Sequence, residues 1–108
     1  MKYDVVVLGA GAAGLMAAIT AASRKKSVLV IERSNKVGKK ILMSGGGRCN
    51  FTNTDLDFDN FLSTNQHFCK SALSRYTAWD FIELVKKHEI EFEEKKHNQL
   101  FCIHSAKD

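Results

Sequence analysis

The feature that most constrains this chain is the junction at its start, where YDVVVL (Tyr3 to Leu8) runs directly into GAGAAG (Gly9 to Gly14). Near-continuous branched residues suit a strand buried on both faces of a parallel sheet. Three glycines spaced GxGxxG then ask for a tight turn (Gly9), an uncovered backbone (Gly11) and close helix–strand packing (Gly14). Ala12 to Ser23 is rich in alanine, with Leu15, Met16 and Ile19 as its larger apolar residues, and predicts a helix. Arg24 to Ser27 turns the chain, and SVLVI (Ser27 to Ile31) predicts a second strand. Strand, glycine turn, helix, strand is one βαβ unit, so the expected class is α/β with a parallel sheet.

Such a turn has a chemical use. The first N–H groups of a helix have no intrahelical acceptor, and the helix dipole is positive at that end. A diphosphate can approach there if no side chain intervenes. Glu32, which ends the second strand, stands close to the spacing of about 20 residues at which an acidic side chain meets a ribose diol. Its charge also argues against a 2′-phosphate at that position. Gly9, Gly11, Ala12, Ala13, Gly14, Glu32 and the adjoining Arg33 are therefore candidate cofactor-binding residues. By itself the unit demands only an AMP-containing half and does not separate FAD from NAD. A glycine-rich turn with a packing role alone is the bland alternative.

A second glycine cluster follows in KKILMSGGGRCNFTN, Lys39 to Asn53. Gly45, Gly46 and Gly47 permit unusual dihedrals or contact with a planar ring. Arg48 suits a pyrophosphate or an electron-rich ring edge, and Asn50, Thr52 and Asn53 offer hydrogen bonds. Ile41, Leu42 and Met43, directly before the glycines, should anchor the segment against being a free surface turn. Residues 33–53 are expected as a long loop with a short helix at Lys39 to Met43, and residues 54–65 as irregular chain. Apolar residues at 68, 69, 72, 73 and 76 have helical periodicity. Thr77 with Asp80 resembles a capping box before a helix from Ala78 to about His88. Ile90 to Glu94 and Gln99 to Ile103 are expected as two short strands in a hairpin across Lys95 to Asn98.

Composition narrows the classes further. Sixteen Lys and Arg against twelve Asp and Glu give +4 over 108 residues, a mild and scattered excess that fits an anionic cofactor but does not ask for nucleic acid. Cys49, Cys69 and Cys102 lack metal-ligand spacing, so no metal site is expected. No apolar run at the start is long enough for a signal peptide or membrane span, which favours a reducing, cytoplasmic location. Cys49 is as easily a packing cysteine as a nucleophile; Cys69 and Cys102 lie in apolar patterns and are expected in the core. His67, His88, His97 and His104 share no motif. Trp79 is expected as hydrophobic anchorage and Glu93–Glu94 as a solvated strand end. HSAKD, at 104–108, reads as a helix entrance with Ser105 as N-cap, and so as the N-terminal part of a longer protein.

Together VVVLGAGAAGLMAA, ERSNKVGKKILMSGGGRCNFTN and SALSRYTAWDFIELVKKHEIEFEE resemble the BaiN-type flavoproteins, also called the HI-0933-like, YhiN-like or aminoacetone oxidase family of FAD-binding enzymes. The resemblance covers essentially the whole chain. Its specific part is GxKxLxSGGGRCNxTN, matched from Gly38 to Asn53. It implies a Rossmann-like FAD/NAD(P)-binding fold of the two-dinucleotide-binding-domain flavoprotein type, incomplete in this chain. It implies that Gly9, Gly11, Gly14 and Glu32 hold the ADP half of FAD. Lys40 and the segment Ser44, Gly45, Gly46, Gly47, Arg48, Cys49 and Asn50 would lie along the pyrophosphate and flavin. No catalytic acid or base is implied. The implied activity is reduction of the flavin by NADH or NADPH, then hydride transfer to an activated carbon–carbon double bond. Members act on small molecules such as steroids or bile acids, or form dihydrouridine in ribosomal RNA, so the implied partner is a small-molecule substrate or ribosomal RNA. A non-catalytic nucleotide-binding role stays open beside these, as does inactivity of the 108 residues alone.

Overall fold

The computed structural model describes all residues, 1–108. The chain divides into two compact units, Met1–Gly47 and Arg48–Asp108.

The first unit is the βαβ element. Strand β1 (Val5–Leu8) pairs in parallel with β2 (Val28–Ile31), Val5 opposite Val28 and Leu8 opposite Ile31. Helix α1 (Ala12–Ser23) joins them and packs on both. The register is pinned at its open end by a reciprocal pair: Asp4 N–H donates to Ser27 Oγ and Ser27 N–H to Asp4 Oδ2, each at 2.9 Å. Burial of β1 alternates rather than running continuously. Val5 and Val7 are half-buried, while Val6 is 53% and Leu8 80% exposed. The expectation of burial on both faces is thus corrected for these residues, because the segment supplies one helix layer to one face of the sheet. A short helix α2 (Lys39–Met43) and a 3₁₀-type turn over Ser44–Gly47 end the unit.

The second unit is an antiparallel sheet with helices. Strand β5 (Gln99–Cys102) is central, between β3 (Asn50–Asn53) and β4 (Phe92–Glu94). The hairpin of β4 and β5 lies where alternation predicts it. Strand β3 lies inside the stretch expected as loop, which corrects that boundary. Asn-rich NFTN has poor intrinsic strand propensity, and pairing with β5 overrides it. Helices α3 (Lys70–Arg75) and α4 (Ala78–Lys87) complete the unit. Ile82, Val85, Leu100 and Cys69 are its buried apolar residues. Phe51 of β3 packs tilted on Phe81 of α4 (5.9 Å between centroids) and edge-on to Phe92 of β4 (5.6 Å). Cys102 is half-buried rather than core, and Trp79, expected as hydrophobic anchorage, is 61% exposed.

Candidate functional site

The glycine turn is held by three groups from far along the chain, two of the main chain and one carboxylate. Gly9 N–H donates to Ile31 O at 2.7 Å, extending the β1–β2 ladder by one residue. Ala10, the unit's one fully buried apolar residue, is gripped on both sides. Its N–H donates to Glu32 Oε1 at 2.8 Å, and its carbonyl accepts from Gly38 N–H at 2.7 Å. The turn is therefore held in place by the chain's own hydrogen bonds.

Behind it, Gly14 meets the requirement for close approach. A Cβ there would overlap the Gly9 carbonyl oxygen and crowd Val7, so only glycine lets α1 lie against the turn. Gly11 is the opposite case. Its φ of −84° suits any residue, and a Cβ there would meet nothing within 4 Å. The space beside Gly11 is open to whatever binds the turn. No side chain caps α1, whose first internal bond runs from Leu15 N–H to Gly11 O at 2.9 Å. The N–H groups of Ala12, Ala13 and Gly14 accordingly lack intrahelical acceptors, and Gly11, Ala12 and Ala13 are exposed. A twelve-residue helix with free donors, an uncovered glycine and no competing side chain fits a diphosphate.

Glu32 does more than spacing suggests. Besides Ala10 N–H on Oε1, it accepts Ser34 N–H on Oε2 at 2.6 Å. These bonds, Ser34 first and Ala10 second, hold its carboxyl below the ordinary carboxylate range. Each oxygen keeps a further lone pair, so the carboxylate can still accept from a ribose diol. Sequence reasoning missed Ala10, Ser34 and Gly38 as the partners that shape this site. Gly38 carried a signal, as the first position of the glycine-rich motif; Ala10 and Ser34 act through backbone atoms and carried none.

Arg33 and Lys40 are exposed, and Ser44 donates its hydroxyl to Ile41 O at 3.0 Å. The triple glycine has a backbone cause: Gly45, Gly46 and Gly47 have φ of 58°, 67° and 93°, a left-handed run that L residues with a Cβ resist. In the second unit Arg48 is exposed and Cys49 half-buried with φ 54°. Asn50 opens β3; with its amide nitrogen turned to the sheet it donates to Leu100 O at 3.1 Å and Thr52 O at 3.2 Å. Asn53 is committed to structure, donating to His97 O and accepting Asp55 N–H, each at 2.8 Å, which removes it from the free hydrogen-bonding groups expected. No group of three or more His, Cys, Asp or Glu is arranged to hold a metal ion. No helix is long and apolar enough to cross a membrane.

Residues 3–108 match the model of the HI0933-like protein Rossmann domain. The chain is 53% identical over 105 residues to a ribosomal RNA dihydrouridine synthase of Escherichia coli strain K12, covering 97% of this chain and 26% of that protein. It is 54% identical over 101 residues to the protein of the same description from Haemophilus influenzae, covering 94% of this chain and 25% of that one. A 3-dehydro-bile acid delta(4,6)-reductase of Clostridium scindens is 34% identical over 79 residues, 71% of this chain and 19% of the relative. The chain thus spans about a quarter of the length of the first two relatives. By its βαβ turn, its glycine clusters and this match across nearly all its residues, the chain belongs to the HI0933-like Rossmann domain family.

Proposed function

We propose that the full-length protein is a FAD-dependent oxidoreductase that reduces uridine to dihydrouridine in ribosomal RNA. The observation that carries the choice of substrate is the 53% identity, over 97% of this chain, to a protein of that activity. The geometry of the glycine turn supports the cofactor. In this reading the N–H groups of Ala12, Ala13 and Gly14 bind the pyrophosphate, with Gly11 leaving room for it. Glu32 holds the turn and accepts from the adenosine ribose. Lys40 and the run from Ser44 to Asn50 are assigned to the pyrophosphate and flavin by their likeness to the family motif. Bound FAD, reduced by NADH or NADPH, supplies hydride to an activated carbon–carbon double bond. The uracil ring has such a bond, conjugated to a carbonyl. The setting is the cytoplasm.

A second reading is reduction of a small conjugated alkene, favoured by the 34% identity to the bile-acid reductase. Dihydrouridine in ribosomal RNA, measured in cells with and without the gene, separates the two. The RNA reading expects a modified position that disappears on deletion and returns on complementation. An unchanged modification profile eliminates it. Anaerobic mixing with NADH and NADPH tests the enzyme reading as a whole: bound flavin that neither donor bleaches indicates a non-catalytic binding protein.

A further inference from the structure

The chain has three free cysteines, and two of them are neighbours in space. Cys69 is buried at the start of α3. Cys49 directly precedes β3, and Cys102 ends β5. The antiparallel register pairs Asn50 with Phe101, and Cys49 and Cys102 are the residues next to that pair. Cys102 N–H is shared between Arg48 O at 3.0 Å and Cys49 O at 3.4 Å, so Arg48 and Cys49, the latter with φ 54°, face Cys102 together as at a β-bulge. The shared bond holds the two cysteine backbones side by side, with the Cys49 sulfur beside the Cys102 thiol. Main chains joined by such a bond approach to about the 4.4–6.8 Å between Cα atoms that a disulfide bridges. Both side chains are half-buried.

We propose that Cys49 and Cys102 form a redox modification site, closing a reversible cross-strand disulfide when they meet a small-molecule disulfide such as oxidised glutathione. The Cys49 thiolate attacks one sulfur of the oxidant, forming a mixed disulfide and expelling the other half as a thiolate. The Cys102 sulfur, its proton lost to solvent, then attacks Cys49 Sγ and expels the second half. Two protein thiols are oxidised by two electrons, one small disulfide is reduced to two thiols, and the two protons end on those leaving groups. Excess thiol reverses both steps. Burial, and next the adjacent Cys49 sulfur, push the Cys102 thiol up, which makes it the poorer first nucleophile and the natural resolving thiol. The bond would tie the residue that follows the Gly45–Arg48 run to the central strand of its sheet. This site does not depend on the proposed RNA or alkene substrate.

The test is oxidation of the native full-length protein with oxidised glutathione, blocking of residual thiols with N-ethylmaleimide, digestion and mass spectrometry. The expected product is a peptide pair joined through Cys49 and Cys102, cleaved by dithiothreitol, with Cys69 recovered as its maleimide adduct. Cys69→Ser should leave the joined pair intact. Cys102→Ser should trap glutathione on Cys49. Separate glutathione adducts on Cys49 and Cys102, a link from either to another cysteine, or two unreacted thiols after prolonged oxidation would each overturn the proposal.

Discussion

Gly11 and Gly14 lie one helical turn apart and carry opposite constraints. At Gly14 the space is already filled by the Gly9 carbonyl, so Gly14→Ala forces α1 away from the turn. Overpacking of this kind costs about 1–3 kcal/mol, and thermal unfolding of the variant should show a clear fall in midpoint. Glu32 has a constraint of charge. Its native carboxyl lies below the ordinary range because backbone N–H groups hold the ionised form. Its contribution to stability is therefore complete above the ordinary carboxylate pKa and is lost as pH falls through the lower native value. Denaturant unfolding below about pH 4 should reveal it: the parent loses stability as pH falls, and Glu32→Gln loses less. A parallel fall in both would remove Glu32 as the clamp of the turn. The GxGxxG spacing and the acidic residue were legible because their chemistry is written in residue type. The grip on Ala10 was not, because it is made to Ala10's own main-chain atoms, by the Glu32 carboxylate and the Gly38 N–H, and only folding assembles them.

Among the elements, those with a local cause were the readable ones. Helix α1 covers Ala12–Ser23, as its alanine-rich composition predicts. Helix α4 starts where the Thr77/Asp80 pair places it, with Asp80 N–H on Thr77 Oγ1 at 3.2 Å and Thr77 N–H on Asp80 Oδ2 at 2.8 Å. Removing that cap by Thr77→Ala should cost about 1 kcal/mol, visible as a lower denaturant midpoint with unchanged slope. The pairing of β3 with β5 had no local cause. Its residues are far apart in sequence, and Asn50 and Asn53 gain their places from Leu100 and His97 rather than from strand propensity. The same long-range pairing sets Cys49 beside Cys102, which no cysteine spacing announces.

For the whole molecule, the fold and the cofactor logic converge. A parallel βαβ unit presents free helix donors beside an uncovered glycine, and residues 3–108 match a Rossmann domain family. The resemblance read from GxKxLxSGGGRCNxTN names the same family. Substrate choice was beyond the residues: spacing and charge allow either RNA or a small alkene. The central claim is that the turn from Gly9 to Gly14 binds the cofactor's diphosphate. Calorimetric titration of FAD into the flavin-free full-length protein, with and without Gly11→Ala, tests it most directly. The Cβ of that variant enters open space, so the fold should be unaffected. The account predicts stoichiometric binding by the parent and an affinity lower by about tenfold or more in the variant, a loss of about 1.4 kcal/mol. Equal affinities in the two proteins would contradict it.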